Sequence, residues 1–131
     1  MSGPAEWTRE QLHTVDVTDE VQVTSLGADG TQRRAVTIWA VQVADAVYIR
    51  SARGPQRGWF TYARTSGTGW FSAGPVERAV TFEVVDPQEA ALHAQLDAAY
   101  HAKYDPYGPR IVGSVVGPVA AQATLRVTPT D

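Results

Sequence analysis

Hydrophobic and polar positions alternate with period two in several stretches of the chain. Val21-Gln22-Val23-Thr24-Ser25-Leu26 reads as a half-buried strand. It is followed by Gly27-Ala28-Asp29-Gly30, where Asp-Gly marks a tight turn. Ala35 to Val43 is rich in β-branched residues and predicts one long strand. Val36, Ile38, Ala40 and Gln42 would share one face, and Thr37, Trp39, Val41 and Val43 the other. Both faces are largely apolar, as in a central strand covered on both sides. After Ala44-Asp45-Ala46, residues 47–51 form a third strand in a hairpin with the second. Residues 70–74 and 78–85 give two more strands, broken at Gly74-Pro75, and 123–128 a last one.

Two segments carry helix signals. Thr8-Arg9-Glu10-Gln11 fits a capping box, which predicts a short helix over about 8–14 with Trp7 as an apolar staple. Asp86-Pro87-Gln88-Glu89 fits another, with Asp86 as N-cap and Pro87 at the first helical position. That helix runs to about Tyr104 and stops at Asp105-Pro106-Tyr107-Gly108-Pro109. Leu92, Leu96, Ala99 and Lys103 share one stripe of it. Residues 59–64 are a possible third, short helix; the rest is loop. Six strands linked by short turns imply an antiparallel sheet. In so short a chain the sheet must curl to hide its edges. The expected fold is mainly β: a small antiparallel barrel with two helices over its ends, one domain over 1–131.

Composition narrows the chemistry. The chain of 131 residues has no cysteine, which excludes thiol nucleophiles, disulfides and thiolate metal sites. Its net charge of −3 argues against a nucleic-acid partner. No apolar run approaches a membrane span, and Met1–Trp7 lacks the pattern of a signal peptide, so a cytoplasmic protein is expected. The charge is uneven. Residues 33–64 hold six arginines against Asp45, a local +5, and the remainder holds five cations against thirteen acids, −8. A basic zone on an acidic chain points to an anionic ligand met at one place; scattered surface arginines would give the same count.

No phosphate loop, dinucleotide fingerprint, serine elbow or His-Glu-x-x-His motif occurs. His93, Asp97 and His101 fall four apart on one helix face, either a metal-ligand stripe or a solvated surface. Tyr100, His101 and Lys103, with Tyr104, are candidates for acid–base work; the tyrosines would equally serve to dock the helix. The richest stretch is Arg50 to Trp59. A strand delivers Arg50 and Ser51 into a loop with Arg53, Gly54, Arg57 and Gly58, ahead of Trp59, Phe60 and Tyr62. Amides and arginines there suit a phosphate, and the aromatics a flat ring. The competing reading is a surface loop whose Trp59 and Phe60 plug the barrel.

The order Asp29-Gly30, Arg33-Arg34, a strand with Trp39, Tyr48-Ile49-Arg50-Ser51, a glycine loop and Trp59-Phe60 resembles the flavin-binding split-barrel superfamily. It is similar to the deazaflavin-dependent nitroreductase branch of these pyridoxamine phosphate oxidase-like proteins. Ala99–Tyr104 and Thr124–Pro129 look more like a domain-of-unknown-function family of the same superfamily. The resemblance spans about 7–129. It implies a six-stranded antiparallel split β-barrel, a homodimer with cofactor grooves between subunits, and FMN or a deazaflavin serving hydride transfer to a small-molecule substrate. By position, Arg34, Arg50, Ser51, Ala52, Gly54 and Arg57 would line the phosphate site. Trp39, Trp59 and Tyr62 would sit near the ring. Where the nitroreductase branch has Gly-(Arg/Lys)-Ser-Gly, this chain has Ala28-Asp29-Gly30-Thr31-Gln32. That difference keeps open a cofactor-free protein that binds a small anionic or aromatic ligand, or uses Tyr, His or Lys chemistry.

Overall fold

A computed structural model describes residues 6–26, 31–56 and 58–130. The Asp29-Gly30 turn and Arg57 lie outside the described residues.

The chain forms seven antiparallel strands in one sheet: β1 Val21–Ser25, β2 Val36–Ile38, β3 Ala40–Val43, β4 Ala46–Arg50, β5 Thr68–Ala73, β6 Val76–Val84 and β7 Thr124–Pro129. Their order across the sheet is β2-β1-β5-β6-β7-β4-β3. β2 and β3 are its two outer strands, yet only Trp39 separates them in the chain. Two residues of backbone span at most about 7 Å, so both edges must meet at Trp39 and the sheet must roll into a barrel.

The long strand expected over 35–43 is therefore two strands, and it closes the barrel rather than running through its centre. Its facial alternation persists. Val36, Ile38 and Ala40 pack on the barrel interior, and Trp39, Val41 and Val43 on the outer core. β3 and β4 pair with Val41 opposite Tyr48 and Val43 opposite Ala46. The two turn residues, Ala44 and Asp45, have φ of 52° and 67°. A two-residue turn with both φ positive matches the strand twist.

The helices are α1 Arg9–Val17, α2 Gly58–Ser66, α3 Ala90–Tyr104 and two single turns, α4 Pro109–Val112 and α5 Pro118–Ala121. The short helix read over 59–64 forms as α2, and two turns within the 105–123 connection are added. At α1 the capping box forms: Gln11 N–H donates to Thr8 Oγ1 at 3.1 Å and Thr8 N–H to Gln11 Oε1 at 3.0 Å. At α3 the capping box does not form. Asp86 Oδ1 accepts instead from Gln88 N–H at 2.9 Å, and the helix starts at Ala90. The side chain closes a turn of its own, a local alternative to capping.

One core fills the barrel, with Phe60, Phe71, Ile49, Leu125 and Val23. Phe60 of α2 plugs one end, and Trp7 reaches Phe71 edge-on at 5.3 Å. A second core lies between α3 and the outer face of β3–β4, around Tyr48, Leu96, Tyr100 and Tyr104. Every β4 residue is buried because both its faces are covered. No described helix is long and apolar enough to cross a membrane.

Candidate functional site

Arg50 ends β4 on the face turned toward α3, and its side chain is wholly buried. A buried guanidinium must find partners for its charge and its donors. Nη1 donates to Asp97 Oδ1 at 2.6 Å and to the Val115 carbonyl at 2.8 Å. Nε donates to Thr124 Oγ1 at 3.0 Å, and Nη2 to His93 Nδ1 at 3.0 Å. His93 Nε2–H in turn faces the Asp86 carbonyl at 2.9 Å, so its partners assign the neutral Nε2–H tautomer. Asp97 also accepts from Gly117 N–H. Four of the five guanidinium N–H groups are thus bonded within the protein. They tie together β4, α3, β7 and the 113–117 turn.

The turn held by Arg50 forms one wall of a groove of about 310 Å³. Ile111, Ser114 and Val115 line that wall. Opposite lie Thr37, Ile38 and Trp39 at the barrel seam. Arg50, Ser51, Ala52 and Arg53, at the end of β4, and Gly58 and Trp59, at the start of α2, complete it. Gly58 begins α2 at φ 61°, a conformation side chains disfavour, and nothing stands over it. Ser51 Oγ accepts from Arg53 N–H at 3.2 Å, which turns the chain there. Arg53 is exposed, and its guanidinium has no partner among the described residues. Trp39 is backed by Tyr104, stacked at 4.1 Å and 7°.

Of the residues expected around a cofactor, Trp39, Arg50, Ser51, Ala52 and Trp59 come together here. Arg34 is exposed away from the groove, and Gly54 sits behind it, buried near Val119. Tyr62 lies on the outer side of α2, where the Arg33 guanidinium stacks on it at 3.7 Å. The three acid–base candidates are dispersed. Tyr100 is wholly buried, and burial raises its phenol far above the ordinary range. Lys103 Nζ donates to the carbonyls of Val15 at 2.6 Å and Ala40 at 2.7 Å, and burial pushes its pKa down to about 8. His101 is exposed beside Asp105 at 2.7 Å. The His93–Asp97–His101 stripe is divided: two members hold Arg50, and among the described residues no three His, Asp or Glu form a metal site. Ile111, Ser114 and Val115 are groove residues the sequence reading passed over. Pro109 at a helical first turn, before Ile111-Val112 and Val115-Val116, is the signal that finds that wall.

A rolled antiparallel sheet joined at one seam, with a groove beside the end of β4, defines a split-barrel protein. Residues 11–127 match DUF2255, described as an uncharacterized protein conserved in bacteria. The chain belongs to that family. Solved structures share the fold. Conserved hypothetical protein Rv2991 from Mycobacterium tuberculosis aligns with TM-score 0.65 and 13% identity, over 100% of this chain and 86% of the other. An F420 reductase aligns at 0.58 and 15%, over 91% and 92%. A pyridoxamine 5'-phosphate oxidase-related, FMN-binding protein from Nostoc punctiforme PCC 73102 aligns at 0.52 and 9%, over 98% and 82%. At these identities the likeness is one of fold. No curated protein sequence matches the chain.

Proposed function

We propose that the groove between Trp39 and Trp59 takes the planar ring of a flavin-type cofactor, FMN or a deazaflavin, and that the protein is an oxidoreductase acting on a small organic molecule. The carrying observation is the placement of both indoles in one groove at the end of β4, beside the exposed Arg53. The fold shared with an F420 reductase and an FMN-binding protein supports it. The residues present fit the ring, with Trp39 and Trp59 as flat apolar walls. They also fit an anion, with Arg53 as donor. Arg50 holds the wall in place, its donors being spent inside the protein. When bound, such a ring supplies hydride transfer; the chain orients it and limits water at one face. This reading carries with it a single domain working as a cytoplasmic homodimer, without nucleic acid.

A second reading is favoured by the committed donors of Arg50 and by Ala28–Gln32 in place of a basic-Ser-Gly segment. In it the groove holds a small aromatic anion and no cofactor. Titration of the purified protein with FMN, riboflavin and a deazaflavin, followed by ring fluorescence, separates the two. The first reading expects binding, about tenfold weaker after Trp59→Ala, and a loss in Arg53→Ala confined to the phosphorylated ligands. No binding of any ring refutes it and leaves the second.

A further inference from the structure

Trp39 lies at the meeting point of the groove and an aromatic cluster on the far side of the seam. Its ring centroid is 4.1 Å from Tyr104 and 5.2 Å from Tyr107. The neighbouring phenols differ in what they face. Tyr104 Oη donates to the Asp19 carbonyl at 2.6 Å and accepts from Ala40 N–H at 3.1 Å. Tyr100 Oη donates to the Trp39 carbonyl at 3.3 Å. A carbonyl accepts a hydrogen bond but does not take the proton, so neither phenol can be oxidised to a neutral radical in place. Tyr107 Oη donates instead to the Asp19 carboxylate at 2.6 Å. Tyr107 is also 45% exposed, whereas Tyr100 and Tyr104 are wholly buried. It is thus the phenol of the cluster that has both a proton acceptor and access to solvent.

We propose that Trp39, Tyr107 and Asp19 form a proton-coupled electron relay that carries an oxidising equivalent out of the groove to the surface. A one-electron oxidant at the groove, of the photoexcited-flavin or oxidising-radical class, takes one electron from the Trp39 indole and is reduced by it. Tyr107 returns one electron to the indole radical cation. As it does, the phenol O–H bond breaks and the proton forms an O–H bond on Asp19 Oδ2. The products are neutral Trp39, a neutral phenoxyl radical at Tyr107 and a protonated Asp19. An external one-electron donor such as ascorbate or a thiol then reduces the phenoxyl, and Asp19 returns the proton. Tyr104, stacked on Trp39 with its hydroxyl locked, keeps the indole in position and stays out of the transfer. The relay extends the proposed function if the groove holds a redox-active ring, but its donors and acceptor belong to this chain alone.

Pulse radiolysis of the full-length protein with azide radicals tests the relay without a cofactor. Azide radicals oxidise indoles, and the transient spectrum separates indolyl from phenoxyl radicals. The expected result is decay of the indolyl band matched by growth of the phenoxyl band, at a rate independent of protein concentration and slower in D2O. Trp39→Phe and Tyr107→Phe should each abolish that phase, and Asp19→Asn should slow it. Tyr107 is on the surface, so its variant should fold, as circular dichroism will verify. An unchanged phase in Tyr107→Phe, or one whose rate scales with protein concentration, overturns the relay. Absence of flavin binding overturns only the cofactor reading, since here the oxidant comes from solution.

Discussion

Arg50→Met separates a framework role for Arg50 from a ligand-clamping one. The substitution keeps the stem and deletes the guanidinium. It leaves Asp97 without its cation and strips hydrogen bonds from His93 Nδ1, the Val115 carbonyl and Thr124 Oγ1. Breaking a buried pair from one side costs about 3–5 kcal/mol. The Asp97 side chain is 35% exposed, so water recovers part of its loss and the lower end, about 3 kcal/mol, applies. With an unfolding entropy of about 2.1 cal/mol/K per residue, a chain of 131 residues shifts its Tm by about 3.6 °C per kcal/mol. The expected drop is then about 11 °C. Urea unfolding followed by tryptophan fluorescence and far-UV circular dichroism gives the free energy; differential scanning calorimetry gives the Tm. A loss under about 1 kcal/mol, the worth of one ordinary hydrogen bond, would refute the reasoning, the more so with a steep fall in flavin affinity.

Two further outcomes follow from the same geometry. Gly69→Ala should destabilise the protein by about 3 kcal/mol or more in the same urea assay, because a Cβ there would stand 2.0 Å from the Thr24 carbonyl oxygen across the β1–β5 pairing. Stability should rise between about pH 8 and pH 10, because burial lowers Lys103 from its ordinary 10.5 to about 8. In that window the unfolded chain holds a proton that the folded one has released, which favours the folded state as pH rises. The gain is about 1 kcal/mol once the partial exposure of the side chain is allowed for. Above pH 10 the trend reverses, because Tyr100 and Tyr104 are held protonated by burial only in the folded state. Lys103→Met should flatten the rise, and a rise of equal size in that variant would show that other groups cause it.

The barrel was readable because its strands alternate and its turns are short. The facial assignment holds for the apolar residues of 36–43. The break at Trp39 was not readable, since nothing in a β-branched run shows that its two halves bond to opposite ends of a sheet. Asp86 misled for a local reason: the same side chain that caps a helix also closes a turn, and only packing decides between them. At the site, the Arg50–Trp59 stretch was visible as a cluster of residue types, and four of its residues expected around a cofactor, Arg50, Ser51, Ala52 and Trp59, meet Trp39 in the groove. The partners of Arg50 were hidden by distance in the chain, with His93 and Asp97 more than forty residues away. A cation inside the apolar run Val47-Tyr48-Ile49-Arg50 was the available clue, because a strand buried on both faces leaves it only an internal acid to meet.

The position of β7 between β6 and β4 has a consequence for how the chain acquires this form. β4 and β6 are never neighbours; each bonds β7, which follows both in sequence. Until residues 124–129 are available, the β3–β4 hairpin and the β1–β5–β6 unit each present a bare edge, and neither can complete the other. β7, which comes after all the strands it joins, acts as the keystone. Closure must wait for residues 124–129 and is governed by long-range contacts, which makes it slow and exposes two sticky edges while it waits. A nascent chain stalled before residue 124 is the form of this protein most prone to pairing with its own copies.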